Sequence, residues 1–354
     1  MTFRPGFLLV LLIVLPLCAQ IHSPALVKSF DLSNALSRPQ TDTSASVAFL
    51  TDHVIALLWH AAEPQQQTVS VLEWNGDSLR RLTPDFNASG ETYIHADGGD
   101  QVLLTAISLG GSPPSLLYSL KTHTQARIPY VWHELVSASG NTAGNTTDKN
   151  WTLYRLTPSF RELRSESGVL LAVSDDKIVF RQGDNVRTET VEGIELGSFA
   201  VKPETRCATS AVLLSDSLYL QTCGLNEITD WYGKKRLKLA LPKDSPTAIN
   251  VDRSAKRLMF DYSTRHVSVL RSTAETAVAI GSLGAGVTDQ KSNGESVRVI
   301  DTRSGGECFK WDRKLPEDAA SFSHAALSPS GQYVSTAVGG RLEIYRLPEQ
   351  CSLH

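Results

Sequence analysis

Residues 321–348, SFSHAALSPSGQYVSTAVGGRLEIYRLP, constrain the fold more than any other stretch, because they spell one nearly complete structural unit. Three strands are predicted in it. The first runs through Ala325 and Leu327 and ends in Ser328-Pro329-Ser330-Gly331. There proline presets φ at the second turn position and glycine tolerates the positive φ that closes the turn. Tyr333 to Val338 form the second strand. Gly339-Gly340 make a two-residue hairpin loop whose twist suits the flanking strands, and Arg341-Leu342-Glu343-Ile344-Tyr345 alternate polar and apolar as a half-buried third strand does.

Weaker copies of this unit fill the chain upstream. The first reads VAFLTD, HVIALLWH, TVSVLEW, a turn at Asn75-Gly76-Asp77, and SLRRLTP; Asn-Gly between alternating apolar runs is a strong hairpin signal. The second is TYIHADGGD, QVLLTAISL, SLLYSLKTHT and QARIP. A third starts at Val131, is interrupted by the polar, glycine-bearing stretch SASGNTAGNTTDKN (137–150), read as a loop, and resumes as WTLYRLT and FRELRSE. The fourth is GVLLAVSD, DKIVFRQG and NVRTETVEG. The fifth runs from Ser198 through RCATSAVLLSD, SLYLQTC and KKRLKLALP, with an insertion read at 226–233. The sixth holds TAINVDRSAK, RLMFDYS, an excursion over 273–295, and SVRVIDTRSGGECFKW.

Copies of about 40 residues, each of three or four short strands with turn residues between, are the pattern of propeller blades. No long stretch keeps apolar residues at helical spacing. The expected fold is therefore all-β: a β-propeller of about seven four-stranded blades. The last copy lacks a fourth strand, while ALVKSFDLS near the N-terminus has no partner nearby. Pairing the two closes the ring and removes both open edges. Outer strands should carry charge that blocks pairing with other chains. Arg80-Arg81, Arg161, Arg164, Arg187, Glu189 and the run Lys234-Lys235-Arg236 with Lys238 are assigned there.

SVRVIDTRSGGECFKW resembles the third strand, turn and fourth strand of a WD-repeat blade, with Ile300-Asp301 where that family has Trp-Asp. HAALSPSGQYVSTAVGGRLEIYRLP is similar to the first three strands of WD-repeat and YVTN-type blades, in which S-P-x-G marks the first turn. The chain lacks the regular Gly-His dipeptide of the WD-repeat pattern. The resemblance, sharp over 296–348, implies a propeller of the WD-repeat/YVTN-like group.

Ahead of the repeats, Arg4 and the apolar run 7–17, followed by Leu17-Cys18-Ala19, read as a secretory signal over residues 1–19, leaving 20–354 as one propeller domain in a secreted or periplasmic protein. The apolar run, about 11 residues, is too short to span a bilayer, and no later stretch is long enough. In an oxidising compartment the four remaining cysteines can pair. A hairpin turning at Ser215-Asp216 brings Cys207 near Cys223, which leaves Cys308 for Cys351; free buried thiols are the alternative.

The formal net charge of −3 gives no basic excess and argues against nucleic acid as a partner. Strong catalytic and nucleotide-binding motifs are missing, and Gly281-Ser282-Leu283-Gly284-Ala285-Gly286 has the wrong order for a phosphate loop. No cofactor or metal is expected: His53, His60, His95, His123, His133, His266 and His324 share no ligand spacing. Asn87, Asn145 and Asn150 match the glycosylation pattern and are read in loops. Two functions follow. A monomeric binding module or scaffold would present loops, chiefly 137–150 and 281–295, to an unknown protein or glycan. The alternative is an enzyme with its site at the central channel, as in lactonase-like hydrolases and quinoprotein-like oxidoreductases; fold alone does not license catalysis.

Overall fold

The computed structural model describes residues 25–33, 45–59, 67–88, 92–97, 100–106, 113–147, 149–201, 209–222, 225–242, 246, 248–264, 294–315 and 324–351. Their strands form seven antiparallel sheets. Strand β1 (Ala25–Asp31) stands apart from its sequence neighbours. Blade one is β2 (Ala45–Thr51), β3 (Val54–Trp59), β4 (Thr68–Asn75) and β5 (Ser78–Arg81), with the short β6 (Phe86–Asn87) also on β4. Blade two is β7 (Thr92–Asp97), β8 (Gln101–Ala106), β9 (Ser115–Ser119) and β10 (Thr124–Ile128). Blade three has β11 (Thr142–Thr146), β12 (Asn150–Arg155) and β13 (Arg161–Ser167).

Blade four is β14 (Val169–Val173), β15 (Lys177–Gln182), β16 (Asn185–Thr190) and β17 (Glu195–Ala200). Blade five is β18 (Thr209–Leu213), β19 (Leu218–Thr222), β20 (Leu225–Thr229) and β21 (Lys235–Lys238). Blade six is β22 (Ala248–Val251), β23 (Arg257–Thr264), β24 (Gly294–Asp301) and β25 (Glu307–Lys314). Blade seven is β26 (Ala325–Leu327), β27 (Tyr333–Val338) and β28 (Arg341–Arg346), completed by β1 on its outer side. Around the centre the first strand β2 contacts β7 and β26, β14 contacts β11 and β18, and β22 contacts β26, and apolar clusters fill gaps between blades.

The predicted closure is observed. In β1, Phe30 lies opposite Leu342 and Lys28 opposite Ile344. Phe30 and Leu32 are buried with Trp59, Trp74, Leu342 and Ile344 in the core between blades seven and one, and Lys28 pairs with Asp77 on the outer hairpin of blade one. The hairpin glycines Gly339 and Gly340 take φ of 62° and 70°, the conformation that the tight turn requires.

Both neighbouring blades grip blade seven. Asp52 Oδ1 accepts a hydrogen bond from the Ser330 amide at 3.1 Å. From blade six, Arg257 donates to the carbonyls of Gly331 (2.8 Å) and Pro348 (2.5 Å). A disulfide joins Cys308 on β25 to Cys351 beyond β28. Cys207 and Cys223 lie outside the described residues, as do the expected leader and most of 281–295. Among the described residues no helix is long and apolar enough to cross a membrane.

Several expectations are corrected. The stretch 137–150 is not a loop, because residues 142–146 form β11, hydrogen-bonded to β12. The insertion read at 226–233 contains most of β20; its polar Asn226 is buried, accepting from Tyr219 Oη at 2.6 Å and donating to the Pro242 carbonyl at 3.1 Å. Ser198 belongs to β17, the outer strand of blade four, so Arg187 and Glu189 on β16 are not at an edge. Glu189 is buried and meets Arg164 at 2.7 Å. Asn87, Asn145 and Asn150 fall in strands.

Candidate functional site: the central channel

In blade three the position nearest the axis is held by an irregular segment, 131–136, rather than by a fourth strand. Its backbone is pinned throughout. The Val131 amide donates to Ser115 Oγ (3.0 Å), the Trp132 amide to the Gly144 carbonyl (3.0 Å), and the Gly144 amide to the Leu135 carbonyl (2.7 Å). Between these the chain turns, with the Leu135 amide on the Trp132 carbonyl at 2.9 Å, and Val136 then bridges Ala143. Gly144 makes this close layering possible: a Cβ there would stand 2.4 Å from Leu170 Cδ2. The Trp132 indole N–H donates to the Thr146 carbonyl at 2.8 Å, which fixes the ring. Ser137 and Ser139 donate to Asp175 of blade four at 2.8 and 2.7 Å.

This segment delivers Trp132, His133 and Glu134 to a cavity of about 310 Å³ on the axis, lined by residues from all seven blades. Tyr93 and His95, two apart on β7, line the same cavity, as alternation along a strand allows. A second cavity of about 160 Å³ shares His95, His133 and Glu134 with the first. The Tyr93 and His133 rings stack with centroids 3.9 Å apart and planes 6° from parallel, and Trp132 meets Tyr130 edge-on at 5.6 Å.

Electrostatically the site is unbalanced. Burial pushes His133 down to about 4, and burial together with neighbouring His133 pushes His95 down to about 3, so both are neutral at neutral pH. His95 Nε2 is buried without a hydrogen-bond partner. The Glu134 side chain is 63% exposed, with Oε1 3.7 Å from His133 Nε2, too far for a hydrogen bond. The surrounding protein displaces bulk water and raises its pKa. Among the described residues no lysine or arginine lines either cavity.

A second His–Glu pair lies in the wall between blades six and seven. His324 and Glu295 are fully buried, with Nδ1 and Oε2 3.4 Å apart, and the His324 amide donates to Glu295 Oε1 at 3.0 Å. Burial pushes His324 down to about 4 and raises Glu295, against hydrogen bonds from Asp261 and the His324 amide and the charge of Arg313, which lower it. Burial therefore favours the uncharged form of Glu295 beside Asp261.

Among the expected candidates, the structure brings His95 and His133 together on the axis and leaves His53 against Trp74 and Tyr333 (ring centroids 4.7 and 6.4 Å) at the seam. His60 and His266 lie outside the described residues. Among the described residues no three His, Cys, Asp or Glu side chains gather as a metal-binding group. Tyr93, Trp132 and Glu134 carry no motif; the compact Trp-His-Glu triplet after Pro129 is the one sequence signal that marks them.

The fold defines the class: a β-propeller of seven blades, closed by an N-terminal strand on the outside of the last blade. No family model and no curated protein matches the chain. Among solved structures, it is similar to a chain of the mitotic checkpoint complex at 12% identity, covering 98% of both chains with a TM-score of 0.49. It is also similar to the C-terminal WD40 domain of Sif2 at 10% identity, covering 92% of this chain and 99% of that one, with a TM-score of 0.49.

Proposed function

We propose that this chain is an exported protein-interaction scaffold that receives part of its partner at the mouth of the central channel. The observation supporting this is the accessible cavity of about 310 Å³ where Tyr93, Trp132, His133 and Glu134 converge. That volume falls at the lower end of ligand pockets, enough for a side chain or a small molecule, and an apolar wall with few convergent polar groups is the usual make-up of such sites. Neither loop first considered for recognition supports this role: much of 137–150 is pinned into blade three, and most of 281–295 lies outside the described residues.

The channel itself gives the test. Ser210, on β18, lines the cavity, and Ser210→Phe narrows it while leaving the interblade cores alone. Extracellular proteins captured by the wild-type chain should be lost with Ser210→Phe at an unchanged melting temperature. Undiminished capture by that variant would place recognition elsewhere on the ring.

A further inference from the structure

We infer that the channel recognises an alkylammonium group, on a lysine side chain or on a free amine, through the Glu134 carboxylate and the aromatic walls beside it. The inference rests on the channel reading above and adds the chemical class of what enters.

Charge comes first. Among the described residues, Glu134 is the one carboxylate lining either cavity, and no lysine or arginine accompanies it. The two histidines that face it from β7 and from its own segment are neutral at neutral pH, so His133 at 3.7 Å supplies no countercharge. A carboxylate partly removed from bulk water without a countercharge is costly, and an entering cation relieves that cost. A carboxylate also forms short, charge-assisted hydrogen bonds with N–H donors, which selects an ammonium over a cation that cannot donate.

The walls agree with this. Trp132, 38% exposed and fixed by its indole N–H, shares the cavity with the stacked Tyr93 and His133 rings. Indole and phenol faces attract cations and also accept the alkyl stem that carries the charge. Burial first, and then the charge of nearby Glu134, hold the Tyr130 hydroxyl above the usual phenol range. The buried, unpartnered His95 Nε2 marks a polar position in the wall of the kind that a bound water or ligand satisfies.

The test uses the folded chain and four probes in calorimetry: n-butylammonium, n-butanol as its neutral counterpart, butyrate as the anion, and a capped Gly-Lys-Gly peptide. Butylammonium should bind at least ten-fold tighter than butanol, butyrate should not bind, and Glu134→Gln should weaken butylammonium ten-fold or more at an unchanged melting temperature. A lysine peptide that binds at least as well as butylammonium assigns the group to a protein partner; one that is excluded while the amine binds assigns it to a small molecule. Equal binding of butanol and butylammonium, both displaced by Ser210→Phe, would overturn the cation class and keep the channel. Absence of binding by every probe, or amine binding indifferent to both Glu134→Gln and Ser210→Phe, would overturn the inference and, in the second case, the channel reading with it.

Discussion

Among the described residues two His–Glu pairs stand in opposite circumstances. His324 and Glu295 are sealed between blades six and seven, with Asp261 hydrogen-bonded to Glu295 and the Arg313 charge acting on it, while both His324 ring nitrogens are buried without a hydrogen-bond partner. His133 and Glu134 stand at a cavity, with the glutamate 63% exposed and, among the described residues, no lysine or arginine lining that cavity. The chemistry of the two pairs is the same, yet the first serves cohesion and the second is free to meet something that arrives. Exposure separates their roles: a pair sealed inside a wall is closed to ligands, and a carboxylate beside an accessible cavity can recruit one. The sealed pair belongs to the stretch of ring that also holds the closing strand and the disulfide, whereas the open pair sits across the ring in blade three, whose inner position is irregular.

If cohesion is concentrated around blade seven, removing residues 25–33 should have the largest effect. It exposes Phe30, Leu32 and the outer edge of β28. At about 2–3 kcal/mol for each large buried side chain, plus the lost ladder, the loss is on the order of 5 kcal/mol or more, comparable to the whole stability of many domains. Thermal melts and size-exclusion chromatography should show unfolding or association; an unchanged melt would break the comparison. Next comes the disulfide. Its sequence separation of 43 residues corresponds to at most about 4 kcal/mol in the chain-entropy model, to be read as the stability difference between oxidised protein and Cys308→Ser in urea titrations.

Glu295→Ala should then cost about 2–4 kcal/mol, since it orphans the buried His324 amide and leaves Asp261 without its partner. Glu295→Gln should cost less, because burial raises the Glu295 pKa and favours the uncharged form that an amide resembles; equal losses for the two variants in denaturant titrations would count against that reading.

Acid titration probes the other side of the comparison. His95 is held at about 3 in the folded chain against 6.5 when unfolded. Between these values the unfolded chain binds the extra proton, so stability falls as pH drops from about 6.5, by at most about 1.4 kcal/mol per pH unit for one histidine. His95→Gln should flatten that part of the curve; an unaltered slope would mean that His95 is already protonated when folded. The smallest effect is expected at the open pair: Glu134→Ala should change stability by less than about 0.5 kcal/mol, as for exposed positions generally, while ligand capture is lost. A large stability loss there would dissolve the contrast between the pairs.

Much of the ring can be read in the chain because turns and alternation state it directly. Gly339-Gly340, Asn75-Gly76 and the Ser328 to Gly331 turn fix register, and the unmatched strand at Ala25 finds the one blade with a vacant edge. Blade three resists such reading for a physical reason. The small polar residues of SASGNTAGNTT look like a loop by propensity, but at Gly144 there is no room for a side chain, because β11 lies between the 131–136 segment and Leu170 of blade four. Likewise Asn226 disguises β20, since its side chain is satisfied by partners distant in sequence. The channel site was illegible for another reason: Tyr93 and Glu134 are 41 residues apart, and only the arrangement of blades brings them to one cavity.

The closing strand also sets a schedule. β1 is synthesised before any blade, but its partner β28 begins at Arg341, some three hundred residues later in translation. Until then the nascent chain carries a spare strand with exposed hydrogen-bonding groups, and contacts of such long sequence separation form late and slowly. A ribosome that stalls anywhere before blade seven releases an open arc of blades with an unmatched strand at its head. Completion of synthesis is thus the event that permits ring closure, and an abandoned product remains recognisable to proteases by its unpaired edge.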